Sequence, residues 1–213
     1  MRGTWFGVLL LLAAPARSAE RSWSVISGSA VGQSRLALQL QAGWPALSLS
    51  GFYGASDKLD VGLRVAFSYG QDGSLGFGPS PVPGFRLQGG VRYTLADAGT
   101  VRLGVTFVPG LAIDYLPGLV TPRILAPVQI VLAIAPIDTL AVHVGVDVPL
   151  YVTPGTFGGL TLPILVGAGA EYHVDRSLAV TGLLRTGPAL ELTRPGAPAR
   201  FAIEVLAGVA YRI

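Results

Sequence analysis

Apolar residues recur in this chain with a period of two over segments of about ten residues, and this alternation constrains the fold more than any motif does. In the carboxy-terminal segment, Phe201, Ile203, Val205, Ala207, Val209, Tyr211 and Ile213 fall on one face, with Ala202, Glu204, Leu206, Gly208, Ala210 and Arg212 on the other. Leu140, Val142, Val144, Val146, Val148, Leu150 and Val152 oppose Ala141, His143, Gly145, Asp147, Pro149 and Tyr151 in the same way. Val61, Leu63, Val65, Phe67 and Tyr69 oppose Gly62, Arg64, Ala66 and Ser68, and Phe85, Leu87, Val91 and Tyr93 oppose Arg86, Gln88, Gly90 and Arg92. Successive side chains of a strand point to opposite faces. Each segment therefore reads as a strand with one unbroken apolar face and one face of small residues and isolated charges.

Such strands close into a soluble barrel with the apolar face inward, or into a barrel in lipid with that face outward. Composition separates the two. Only 13% of residues are charged and 51% are hydrophobic, whereas a soluble domain carries roughly 25% charged residues. Mean hydropathy is +0.57. The less apolar face, mostly Gly, Ala and Ser, suits a narrow interior and would solvate an exterior poorly. The longest apolar stretch beyond the amino terminus, Ile124 to Ile137, is interrupted by Pro127, Gln129 and Pro136, so it does not make a spanning helix. A closed barrel is the other structure that satisfies every backbone group in lipid. The expected fold is all-β, an up-and-down antiparallel transmembrane β-barrel. A soluble periplasmic β-barrel binding small apolar ligands is the alternative.

The first residues have the three zones of an export signal: Arg2, an apolar run from Trp5 to Ala14, and small residues to Ala19. The expected organisation is a signal peptide at 1–19, a tail at 20–34 that is periplasmic or adds a strand, and a barrel domain at 35–213. Losing Arg2 and Arg17 with the signal lowers the basic count from 15 to 13 against 12 acidic residues. The pI of about 9.5 therefore does not indicate a nucleic-acid partner, and none is expected. With no cysteine and two histidines, disulfides, thiolate sites and a metal centre are not expected, nor is a cofactor.

Four short turns place an aspartate between alternating segments: Asp57, Asp97, Asp138 and Asp175. There its carboxylate can accept the following backbone N–H groups. Their spacings of 40, 41 and 37 residues, with 38 more to the end, divide the chain into five units of one outgoing and one returning strand. Ten strands are expected, with eight or twelve open because Arg35–Gly43 and Ala46–Tyr53 are joined only by Trp44-Pro45. A β-propeller is excluded, because four strands of this length do not fit in 40 residues. Longer Gly/Pro-rich connections, 70–84, 116–122, 153–159 and 187–199, alternate with the short turns, as outer loops alternate with periplasmic turns in outer-membrane barrels. Tyr53, Tyr93, Tyr172 and Tyr211 fall at one set of strand ends, and Trp44, Tyr69 and Tyr115 near the other. These are the positions of two interfacial girdles; Ile134 takes the place of one expected tyrosine.

In this pattern the chain resembles the small bacterial outer-membrane β-barrels of the OmpA/OmpX-like class, over roughly residues 35–213. The resemblance implies a monomer in the bacterial outer membrane, with membrane lipids and the barrel-assembly machinery as partners. Members of that class usually end on an aromatic residue; here Tyr211 fits and the final residue is Ile213.

The inward face carries Arg64, Arg86, Arg92, Arg102, Arg185 and Arg212 against Asp147, Glu171 and Glu204, with Gln129, His143 and His173 among them. In a barrel this narrow they are expected to form a salt-bridged lumen network, since buried charges must pair; a narrow anion-preferring pore is the second reading. A structural or narrow-channel role without enzymatic activity follows. An embedded hydrolase and loop-mediated adhesion are the alternatives. The hydrolase lacks a nucleophile beside either His143 or His173, and the segment Gly70 to Gly84 lacks the Lys-Ser/Thr of a phosphate loop.

Overall fold

The computed structural model describes residues 23–70, 83–116, 118–155, 158–193 and 200–213. These residues form twelve strand segments: β1 (Leu36–Trp44), β2 (Ala46–Gly54), β3 (Leu59–Ser68), β4 (Gly84–Asp97), β5 (Val101–Phe107), β6 (Gly110–Leu116), β7 (Leu119–Ile137), β8 (Leu140–Thr153), β9 (Gly159–Pro163), β10 (Leu165–His173), β11 (Leu178–Glu191) and β12 (Arg200–Arg212). Among the described residues there is no helix.

These segments make ten antiparallel staves. β5 and β6 share the same two neighbours, β4 and β7, so they are one stave interrupted at Val108-Pro109. β9 and β10 likewise share β8 and β11 and are interrupted at Ile164. Proline explains the first break, because it has no N–H to donate to a ladder. Closure comes from β1 pairing with β12, with Ala37 opposite Arg212 and Trp44 opposite Val205. The expected ten-stranded closed barrel is the observed one. β1 and β2 are separated only by Pro45, as expected, and Pro45 follows a cis peptide bond.

The connections differ from expectation in one respect. The stretch 116–122 is a tight reversal between β6 and β7, and Pro122 is paired with Ile113 inside the ladder. β11 likewise runs on through Pro188 to Glu191. As a result β7 has 19 residues and β4, β8 and β11 have 14 each, whereas β1 and β2 have 9. The wall is thus taller on the side of β7. Proline and glycine marked these stretches as loops, but a proline whose missing donor faces no partner does not end an antiparallel strand. The segments 71–82 and 194–199, with Asp72, Gly73, Gly76, Gly78 and Arg194, lie outside the described residues, as do the signal-peptide and cleavage positions.

Burial is reversed relative to a water-soluble barrel. Leu38, Leu49, Leu63, Leu87, Ile130, Val144, Val166, Leu184 and Val209 are exposed on the outer wall, Leu63 and Val166 by 56% and 58%. The inward positions are polar or small: Gln39, Gln41, Ser48, Ser50, Asp60, Gln88, Arg92, Thr94, His143, Glu171 and Thr181 are all buried. A soluble barrel puts its apolar face inside.

Residues 23–34 do not form a strand or a free tail. They fold back into the lumen at the end that carries the short turns, through a reversal with Gly32 at φ +100 and Ser34 at φ +58. Trp23, Val25 and Val31 pack there against Ala37, Ala179 and Ala210, with Ile26 and Phe52 beside them. The wall is small where this segment is large. At Gly28 and Gly104 the two backbones touch, since a Cβ on Gly28 would lie 2.3 Å from the Gly104 nitrogen; only glycine on both sides allows that approach.

Candidate functional site

Among the described residues the fold gathers charged and polar side chains in the lumen, and the register of the sheet decides which of them meet. Arg185 on β11 sits directly across from Glu204 on β12. From there its Nη1 reaches Glu204 at 3.0 Å and Asp147 of β8 at 2.7 Å. This triad forms a belt across the middle of the barrel. Arg64 on β3, opposite Gln88, donates to the Ser48 hydroxyl at 3.3 Å.

Above the belt, toward the longer connections, Arg123 of β7 pairs with Asp114 of β6 at 2.5 Å. Its guanidinium lies over the Tyr151 ring, 5.2 Å from the centroid. A cavity of about 60 Å³ in this half is lined by Pro45, Pro127, Pro149, Pro163 and Tyr151 together with the belt. Below the belt a second cavity of about 80 Å³ lies between Gln39, Gln41, Arg92 and Gln129 and the inserted residues Val25 and Ile26. Both cavities have Arg64 and Arg185 in their walls.

At the short-turn end the polar groups serve the inserted segment. Arg92 of β4 lies across from Asp60 of β3 and donates to its Oδ2 from Nε at 2.9 Å and Nη2 at 2.5 Å. Both side chains are almost wholly buried. The Asp60 carboxylate also accepts the Val31 backbone N–H at 3.1 Å. The Ser24 hydroxyl donates to Glu171 and accepts the N–H groups of Ile26 and Ser27. Thr94 donates to the Gly28 carbonyl at 2.9 Å, and Arg102 donates to Ser29 at 3.2 Å. Trp23 donates to the Arg176 carbonyl at 3.1 Å, stacks edge-on against His173 and carries Arg212 over its ring at 5.4 Å.

The sequence-derived network thus divides into local groups. Arg185, Asp147 and Glu204 meet; Arg64 and Arg86 line the upper cavity and Gln129 the lower. Arg92 and Glu171 serve the inserted segment, Arg212 lies over Trp23 and Arg102 bridges Asp97 and Ser29. His143 is buried with neither ring nitrogen hydrogen-bonded. Three charged residues were not anticipated. Asp60 has the same parity as Gly62 and Arg64 and could have been found by extending that segment one step back. Asp114 and Arg123 flank the 116–122 stretch, expected to be a loop, and they meet because β6 and β7 pair across it. Adding Arg123 to the six arginines, and Asp60 and Asp114 to the three carboxylates, leaves seven against five, so the basic excess is smaller than expected.

Ser24, Glu171 and His173 invite comparison with a hydrolytic triad, but their order does not perform that chemistry. The hydroxyl donates to the carboxylate, and His173 Nε2 stands 3.9 Å from the other carboxylate oxygen. A triad needs the imidazole between the hydroxyl and the acid.

The Asp turns behave individually. Asp175 Oδ1 accepts from Ser177 and Leu178 at 2.7 and 2.8 Å, and Asp97 accepts from Gly99 at 2.9 Å. In the first turn it is Ser56, beside Asp57, that accepts from Lys58 and Leu59. Asp138 lies exposed in the two-residue turn between β7 and β8. The phenols of Tyr53, Tyr93, Tyr172 and Tyr211 are all exposed on the outer wall, near the short-turn end. At the other end Tyr115 is exposed, while Trp44 and Tyr69 are half-buried against each other with ring centroids 6.2 Å apart.

Neither protein-family models nor curated proteins match this chain.

Proposed function

We propose that this protein is an integral outer-membrane β-barrel of the OmpA/OmpX-like kind, with an occluded lumen, a structural role and no catalytic one. The observation that carries the reading is the reversed burial: large apolar side chains are exposed around the wall while Asp60, Arg92 and Glu171 are buried inside. Monomeric soluble proteins rarely expose a continuous apolar surface beyond a few hundred Å², and in lipid the same surface needs no cover. The outward ring of Tyr53, Tyr93, Tyr172 and Tyr211 supports the same reading, because phenols rest at the headgroup level. Export by residues 1–19, assembly by the barrel machinery, a monomeric state and the absence of nucleic-acid partners belong to this proposal. A soluble barrel holding apolar ligands is disfavoured by a lumen lined with charges.

Cell fractionation combined with gel mobility of unheated and boiled samples tests it. The expected result is recovery with outer-membrane lipid and a folded band that shifts on boiling. A folded protein recovered in the soluble fraction without detergent refutes the reading.

A further inference from the structure

We propose that residues 23–34 are a withdrawable stopper, and that the barrel conducts small hydrated ions when this segment leaves the lumen. The inference rests on the membrane-barrel reading and extends it to an activity.

Four observations carry it. First, the segment belongs to no strand. It enters the lumen by one reversal at Gly32 and Ser34, both with positive φ, so swinging it out breaks no rung of the sheet. Second, it carries no charged residue from Trp23 to Ser34, whereas its socket is ionic: Glu171 and Arg102 hold its Ser24 and Ser29 hydroxyls, and Asp60, itself paired with Arg92, accepts the Val31 N–H. When it leaves, the wall's Arg92–Asp60 and Arg102–Asp97 pairs stay intact, and Glu171, which gives up the Ser24 hydroxyl, exchanges it for water. Third, its apolar residues sit in a recess built from Ala37, Ala179 and Ala210, so the emptied end is wide rather than refilled by wall side chains. Fourth, the cavity beneath it is lined by Gln39, Gln41, Ser50, Thr106 and Gln129, and it shares Arg64 and Arg185 with the cavity on the far side. One layer of side chains therefore separates the two water-sized spaces once the stopper is gone. The Arg185–Asp147–Glu204 belt is borne on strands and stays in place, as the constriction that ions pass in the emptied barrel.

The test uses the full chain, purified in detergent and inserted into planar bilayers in KCl. Gly28→Val keeps the wall intact but cannot seat, because a Cβ at this position would meet the backbone of Gly104 at 2.3 Å. Deletion of residues 23–31 is the second variant. Position 27 is buried and the chain has no cysteine, so Ser27→Cys reports seating through its reaction with a maleimide. The wild-type barrel is expected to be closed, with slow labelling at position 27. Gly28→Val is expected to label about tenfold faster or more, as a locally opened segment does, and both variants are expected to conduct KCl steadily. Inserted, heat-shifting variants that stay silent overturn the proposal and leave the membrane reading standing. The same holds for a wild-type barrel that conducts as well as the variants. If the wild-type chain shows no heat-shift and no insertion, the membrane reading itself fails and the stopper falls with it.

Discussion

Val146→Arg separates an outer wall facing lipid from one facing water, because the two environments predict costs of very different size. Val146 points outward from β8, 39% exposed, between Ile130 of β7 and Val166 of β10. On β10, Val166 is six residues from Tyr172, which marks one interface in the proposed reading. At a rise of about 3.3 Å per residue these six residues span roughly 20 Å along the strand, and a tilt of about 40° reduces this to roughly 15 Å of depth. That is half of a hydrocarbon core about 30 Å thick, so Val146 lies near the midplane. An arginine there should destabilise the barrel by about 2–4 kcal/mol. Val180 faces Tyr172 directly, so Val180→Arg lies at the headgroup level and should cost about 0–1 kcal/mol. Guanidinium unfolding of the three proteins in lipid vesicles, followed by tryptophan fluorescence, gives both differences. In water, replacing an exposed valine by arginine stays within about 0.5 kcal/mol. Equal and negligible costs at both positions would refute the outward-facing lipid wall; a large cost at Val146 that fades at Val180 is what it requires.

The remaining predictions concern the lumen and one turn. Asp60→Ala leaves the Arg92 guanidinium buried and unpaired and removes the acceptor of the Val31 N–H, so the same unfolding assay should show a loss of about 3–5 kcal/mol. Arg185→Leu removes the cation that Asp147 and Glu204 share and should cost a similar amount, about 3–5 kcal/mol, with the loss read as a lower temperature for the gel shift. Ala210→Leu overfills the recess beneath Trp23 and should destabilise by about 1–3 kcal/mol, with a change in the Trp23 emission. The amides of Ser177 and Leu178 hold the exposed Asp175 carboxyl below its ordinary range. A depressed folded value means that its contribution is complete above the unfolded value and is lost as pH falls through the folded one. Stability should therefore decline below about pH 4, and Asp175→Asn should flatten that acid limb in a pH series of unfolding midpoints.

Much of this protein was legible from local pattern. The period of two in Val61–Ser68, Leu140–Val152 and Phe201–Ile213 names outward and inward residues one by one, because a strand offers only two faces and one of these was uniformly apolar. The spacing of Asp57, Asp97, Asp138 and Asp175 counted ten staves, since a tight reversal must recur wherever two strands meet at the same end. Three things required the closed barrel. Which charges meet depends on register: Arg185 finds Glu204 because β11 and β12 align them, and no spacing along the chain encodes that. Strand ends depend on the ladder: Pro122 and Pro188 looked like loop residues until neighbouring strands supplied enough pairing to carry the chain past them. The fate of residues 23–34 depended on tertiary structure most of all. A short, uncharged run with no periodicity has no fold of its own, and only a lumen already walled with alanine, glycine and buried ions gives its tryptophan and backbone groups a place to be satisfied.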